Sequence, residues 1–247
     1  MSGFRSFTLE EPPFAGRTGG GVRVAVVDSG VHGGHPHVGG VAGGIHIAPD
    51  GAEKRDFTDR IGHGTAVAAA IREKAPDAEI WAVRVFGTRL STTAFALVRA
   101  IEWAAGRGVD LINLSLGTQR PKHRGAMAAV VAKAVGRGSL VVSPAVHDGR
   151  VWLPGCLPGT AGVELDRECA REELRVSGTG GGGAGGEGPA APALRFRASG
   201  YPRPIPGVSP ELNLHGVSFA AANVTGFLAR GLEDGAGAPS LLASLGG

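Results

Sequence analysis

Short runs of apolar, β-branched residues alternate along the first two thirds of this chain with longer stretches whose apolar positions recur at helical spacing. VRVAVVD is a run of the kind buried on both faces of a parallel sheet, and it predicts a first strand from Val22 to Val27. TAVAAAIREKA predicts a helix that ends before Pro76, and EIWAVRVF predicts the next strand. TTAFALVRAIEWAAG places Phe95, Val98, Ile101 and Ala105 on one helical face, VDLINLSL predicts a third buried strand, and GAMAAVVAKAVGRG predicts a helix leading into the strand SLVVSPA. Beyond Gly149 the pattern weakens to three shorter strands, TAGVEL, ELRV and ALRFRA, followed by a helix over SFAAANVTGFLARGL. Repeated strand, helix, strand units imply an α/β fold in three layers, α/β/α, around a mainly parallel central sheet.

At 247 residues, α/β chains commonly remain one domain. The pattern divides the chain into an N-terminal extension over 1–21, rich in Gly and Pro, a single domain over 22–232, and a C-terminal tail over 233–247. Glycine, with 43 copies, is the compositional outlier. Part of it forms a run whose lack of side chains predicts a flexible surface loop at about 178–188. Internal repeats at solenoid or propeller periods are absent.

Charge and segment lengths exclude several classes of function. The formal net charge is +3 and the basic residues are dispersed among Asp and Glu, which argues against nucleic-acid binding. No apolar stretch approaches the roughly 20 residues a membrane helix needs, and the N-terminus does not read as a signal peptide, so a soluble, cytoplasmic protein is expected. Two cysteines, Cys156 and Cys169, do not make a disulfide framework, and their spacing leaves open whether they pair.

In an open α/β sheet the reactive groups gather at the carboxyl ends of the strands. Asp28 directly follows VAVV, and a carboxylate there must be hydrogen-bonded or functional. His63 lies in GHGT just before a helix, where a capping or core role is the ordinary alternative and Thr65 is placed to cap. Ser218, in HGVSFAAANVTG, opens the last helix, at the positive end of its dipole; the plainer reading is an N-cap serine. Acyl transfer needs a hydroxyl nucleophile, an imidazole to move its proton and a carboxylate to orient the imidazole, so the three residues together weigh more than each alone.

The blocks VAVVDSG, GHGTAVA, LINLSLG and GVSFAAANVTG resemble the signature blocks of the subtilisin-like, or S8, serine proteases, over roughly Val22 to Leu232. The resemblance implies a subtilisin-like peptidase domain and a catalytic triad of Asp28, His63 and Ser218. Their chain order is the one known for subtilisin. It implies that Ser115, Leu116 and Gly117 offer backbone partners to an extended peptide. LPGCLPGTAGVEL resembles the wall of the family's primary specificity pocket. No cofactor is implied, the implied partner is a peptide or protein substrate, and oligomeric state is left open.

The chain also departs from that pattern. His147, in VVSPAVHDG, stands where the family's oxyanion asparagine is usual. Loss of one such donor costs on the order of 10² to 10³ in turnover, a magnitude measured in subtilisin itself. An imidazole could supply the missing hydrogen bond, which makes His147 the oxyanion candidate. Val217 and Ala222 replace the usual Thr and Pro without removing a catalytic group. IREKAPDAEIW leaves no room for the calcium loop of secreted relatives, and with the first strand beginning at about residue 22 no prodomain is expected. HGGHPHVGG brings three histidines together at a spacing that invites a metal, but the family commonly carries His-Pro there, so no metal site is expected. The GxGxxG match within the glycine run is trivial. The leading expectation is therefore a serine endopeptidase, in a narrower form a selective maturation protease. The rival is a weakened subtilisin-fold protein that binds peptides as a scaffold.

Overall fold

The computed structural model describes residues 3–178 and 194–246. In chain order the strands and α-helices are β1 (Arg5–Thr8), β2 (Arg23–Asp28), β3 (Gly43–Ile47), β4 (Glu53–Lys54), α1 (His63–Lys74), β5 (Glu79–Arg84), α2 (Ala94–Gly106), β6 (Leu111–Leu114), α3 (Arg124–Val135), β7 (Leu140–His147), β8 (Arg150–Val151), β9 (Thr160–Leu165), β10 (Glu173–Gly178), β11 (Leu194–Ala198), α4 (Val217–Leu232) and α5 (Ala238–Gly246). They build one sheet in the order β1-β10-β11-β9-β7-β6-β2-β5-β3-β4, with β8 hairpinned onto β7. From β11 across to β3 every pairing is parallel, and the antiparallel pairs lie at the two edges and in that hairpin.

The two faces of the sheet carry separate cores because side chains alternate along each strand. In β2, Val24 and Val26 join α1 and α4 in one core, whereas Ala25 and Val27 join α2 and α3 in the other. This is the expected three-layer arrangement. α4 is buried almost all round, and the small residues Ala220, Ala221 and Ala222 let it lie close against the sheet.

Three readings of the sequence change. On α2 the buried stripe runs through Leu97, Ala100, Ile101, Ala104 and Ala105, while Val98 is half-buried and Phe95 is 57% exposed. Phe95 sits in the first turn, and its ring passes over Gly51 instead of entering the core. The segment set apart as an N-terminal extension supplies the edge strand β1 and buries Phe7 and Phe14; Phe14 stacks edge-on against Phe227 of α4 at 5.2 Å. The segment set apart as a tail supplies α5, which buries Leu241 and Leu245. The expected glycine loop lies outside the described residues except for Gly178, the last residue of β10. Cys156 and Cys169 are both free thiols. No helix of the described residues is long and apolar enough to cross a membrane.

Candidate active site

Asp28 ends β2 and is fully buried, with one oxygen accepting the Ser29 amide at 2.6 Å. His63 is the first residue of α1, and its Nδ1 lies 2.8 Å from Asp28 Oδ1 and 3.0 Å from Oδ2. An ionised carboxylate only accepts, so Nδ1 carries the proton and Nε2 faces outward. This contact requires glycine at position 64, where a Cβ would lie 2.2 Å from the Gly30 carbonyl oxygen and 3.0 Å from Asp28 Cβ.

Asp59 performs the capping that was expected of Thr65. Its carboxylate accepts the amides of Ile61, Gly62 and Thr65 at 2.8 to 2.9 Å, the Thr65 hydroxyl at 2.6 Å and the Ser29 hydroxyl at 2.9 Å. Thr65 is the third residue of the helix, too late to be its cap. The Ser29 hydroxyl oxygen also accepts the Gly64 amide at 2.9 Å, so a single network ties the end of β2 to the start of α1. Ser29 and Asp59 were missed in the sequence, although an Asp just ahead of a helix start is a capping signal. Burial of the His63 ring works to lower its pKa, but the hydrogen bond to Asp28, the charge of Asp28 and that of Asp59 outweigh it and hold the pKa above the ordinary 6.5.

Ser218 is the second residue of α4, after the N-cap Gly216, so the plain N-cap reading does not hold. Its position in the first turn leaves its amide outside the helical hydrogen-bond ladder. Its hydroxyl donates to the Ser115 carbonyl at 3.0 Å. The Ser115 side chain accepts from Asn113 Nδ2 at 3.0 Å, and the Thr225 hydroxyl lies 2.9 Å from Asn113 Oδ1, which ties the end of β6 to α4. Asn113, buried in an apolar strand, was legible as a polar group in need of partners but was passed over.

His63 and Ser218 line one groove of about 760 Å³, together with Ser115, Leu116, Gly117 and His147. Ser115–Gly117 continue past the last ladder residue, Leu114. β7 runs on to His147, which pairs with Arg150 across the two-residue turn Asp148-Gly149. Both turn residues have positive φ, 49° and 70°, the geometry that Asp-Gly favours in a tight hairpin. His147 Nε2 lies 3.4 Å from Asp148 Oδ2. The histidine loop has a different character: the His37 amide donates to His35 Nδ1 at 3.2 Å, and among the described residues no cluster of three or more His, Cys, Asp or Glu is placed to hold a metal.

A paired carboxylate and imidazole, with a hydroxyl on the same groove, is the set of groups that nucleophilic acyl transfer employs. The chain is also similar to known proteins. Subtilisin E of Bacillus subtilis (strain 168) is 35% identical over 163 residues, which cover 60% of this chain and 42% of that protein. Subtilisin of Bacillus pumilus is 34% identical over 163 residues, covering 60% and 58%. The match therefore spans about half the length of these relatives. Among solved structures, sphericase superposes with a TM-score of 0.68 at 21% identity, covering 92% of this chain and 82% of that one. A lanthipeptide protease superposes at 0.59 and 20% identity, covering 84% and 72%. The sequence profile of the subtilase family matches residues 19–147, more than half of the chain, and on that ground this protein belongs to the subtilase family.

Proposed function

We propose that this protein is a serine endopeptidase in which Asp28, His63 and Ser218 form the catalytic triad. The observation that carries the reading is the 2.8 Å contact between the His63 ring and the buried Asp28, on the groove that Ser218 also lines. Ser218 Oγ attacks a peptide carbonyl carbon while His63 Nε2 takes its proton. The C–N bond then breaks, His63 returns the proton to the leaving amine, and water hydrolyses the acyl-enzyme by the same relay. Asp28 orients the ring and stabilises its charged form. An extended peptide pairs with the backbone of Ser115, Leu116 and Gly117. The oxyanion is met by the Ser218 amide, with His147 as second donor once its ring turns from Asp148 into the groove. A selective maturation role is the narrower form of this reading.

Two contacts favour a peptide-binding scaffold instead: the Ser218 hydroxyl is held by the Ser115 carbonyl and His147 Nε2 faces Asp148. Active sites without substrate often show long or misaligned catalytic hydrogen bonds, so this arrangement is compatible with turnover. Intact mass after exposure to a fluorophosphonate probe separates the two readings, because the probe needs an activated nucleophile but not the right peptide. The native protein is expected to gain one adduct and Ser218→Ala none, with His147→Ala labelling more slowly. A folded native protein that stays unlabelled would favour the scaffold.

A further inference from the structure

We infer that the groove selects acidic peptides, through the cations Arg120 and Lys122, with Leu90 and Phe95 lining the same groove as its apolar part. This rests on the peptidase reading and adds to it a class of substrate. The groove is one-sided in charge: Arg120, Lys122 and the imidazoles of His63, His123 and His147 line it, and among the described residues no Asp or Glu does. Two carboxylates stand behind lining imidazoles, Asp28 against His63 and Asp148 against His147. Among the described residues, Arg120, Lys122 and His123 form no ion pair, whereas Arg171 pairs with Glu73, Arg175 with Asp166, and Arg195 and Arg197 with Glu164. Arg120 and Lys122 are therefore free to meet a charged substrate in the groove they line.

The segment that carries these cations is also held in place. Thr118 bridges to Leu153 and its hydroxyl accepts the Arg120 amide at 3.2 Å, and Pro121–His123 close a 3-10 turn whose His123 amide donates to the Arg120 carbonyl at 3.1 Å. Arg120 follows Gly117 by three residues, so a peptide paired along Ser115–Gly117 runs alongside it. Leu90 and Phe95, which line the same groove, are 54% and 57% exposed. Alternate side chains of an extended peptide point to opposite sides, so one peptide can offer acidic residues to the cations and apolar ones to Leu90 and Phe95. Two solvated charge pairs are worth about tenfold together, and such contacts weaken with salt.

The test compares fluorogenic peptides that differ only in carrying Glu, Gln or Lys next to an apolar residue near the scissile bond, with fluorophosphonate titration counting the active sites. The Glu peptides are expected to show kcat/KM about tenfold above the Lys peptides at low salt, converging as salt rises, with the order inverted in Arg120→Glu/Lys122→Glu. A titratable enzyme without a charge preference would overturn the inference, as would a folded double variant that keeps the native order. Should the native protein fail to titrate, the peptidase reading falls and the groove is tested separately, by fluorescence anisotropy of the same peptides on Ser218→Ala. Salt-sensitive preference for Glu over Lys then upholds the inference, and equal binding rejects it.

Discussion

Asp59 shows how one side chain serves both structure and chemistry. Its carboxylate is half-buried; burial works to raise its pKa, but the Thr65 hydroxyl and the amides of Ile61, Gly62 and Thr65 win and keep it ionised. That charge in turn helps to hold the pKa of His63 above 6.5. A base must be neutral to accept a proton, so the acidic limb of the kcat/KM profile is expected above pH 6.5. Asp59→Asn keeps the size of the side chain but removes the charge and one of its two acceptor oxygens, and should move that limb to lower pH while lowering the maximal rate. A pH-rate profile of the variant checks this, and an unmoved limb would remove Asp59 from the electrostatics of the site. Asp28, His63 and Ser218 were each legible as residues, since a buried strand end, a glycine-flanked histidine and a serine at a helix start are local patterns. The hydroxyl's partner in the Ser115 carbonyl was not, because positions 115 and 218 meet only through folding.

At the scale of elements, α1 and α4 pack so closely that a Cβ at Gly226 would lie 2.8 Å from Lys74 Cβ. Lys74 is only 2% exposed there, and burial pushes its ammonium down from 10.5 to about 8. Glu73, 3.6 Å away, offsets only part of that cost, and Glu73 is itself shared with Arg171. Because the folded pKa is depressed, the unfolded chain holds the extra proton between pH 8 and 10.5. Stability therefore rises with pH across that window, and the full cost is borne below it. Lys74→Met keeps the aliphatic stem and removes the charge. It should stabilise the protein at pH 7, by at most about 3 kcal/mol, and abolish the alkaline rise. Denaturant titrations at pH 7 and 10 measure both effects, and a variant less stable than native at pH 7 would mean that the ion pairing with Glu73 dominates. The position of this helix was readable from TAVAAAIREKA, but the burial of its lysine was not, since periodicity does not say which helix will cover a polar position.

For the molecule as a whole, both ends of the chain are structural. β1 zips onto β10, and Phe14 fills the gap between Phe7 and Phe227 with no exposed surface. Phe14→Ala should therefore destabilise the whole domain by about 3 to 5 kcal/mol, the range for an emptied aromatic site in a packed core. A thermal melt that hardly moves would mean that the N-terminal segment docks loosely and is not part of the core. By itself the sequence determined the α/β alternation, the parallel centre of the sheet and the three residues at its carboxyl ends, because each depends on local periodicity or on a short contiguous motif. Only the tertiary structure decided the rest. The edge strand β1, the docking of α5, the tie between Asp59 and Ser29 and the placing of Arg120, Lys122 and His123 on a groove that no described carboxylate lines all depend on contacts between residues far apart in the chain. The physical reason is that charge and hydrophobic burial act through space, so which of the dispersed basic residues come to line a groove, here Arg120 and Lys122, is set by the fold and not by their spacing along the chain.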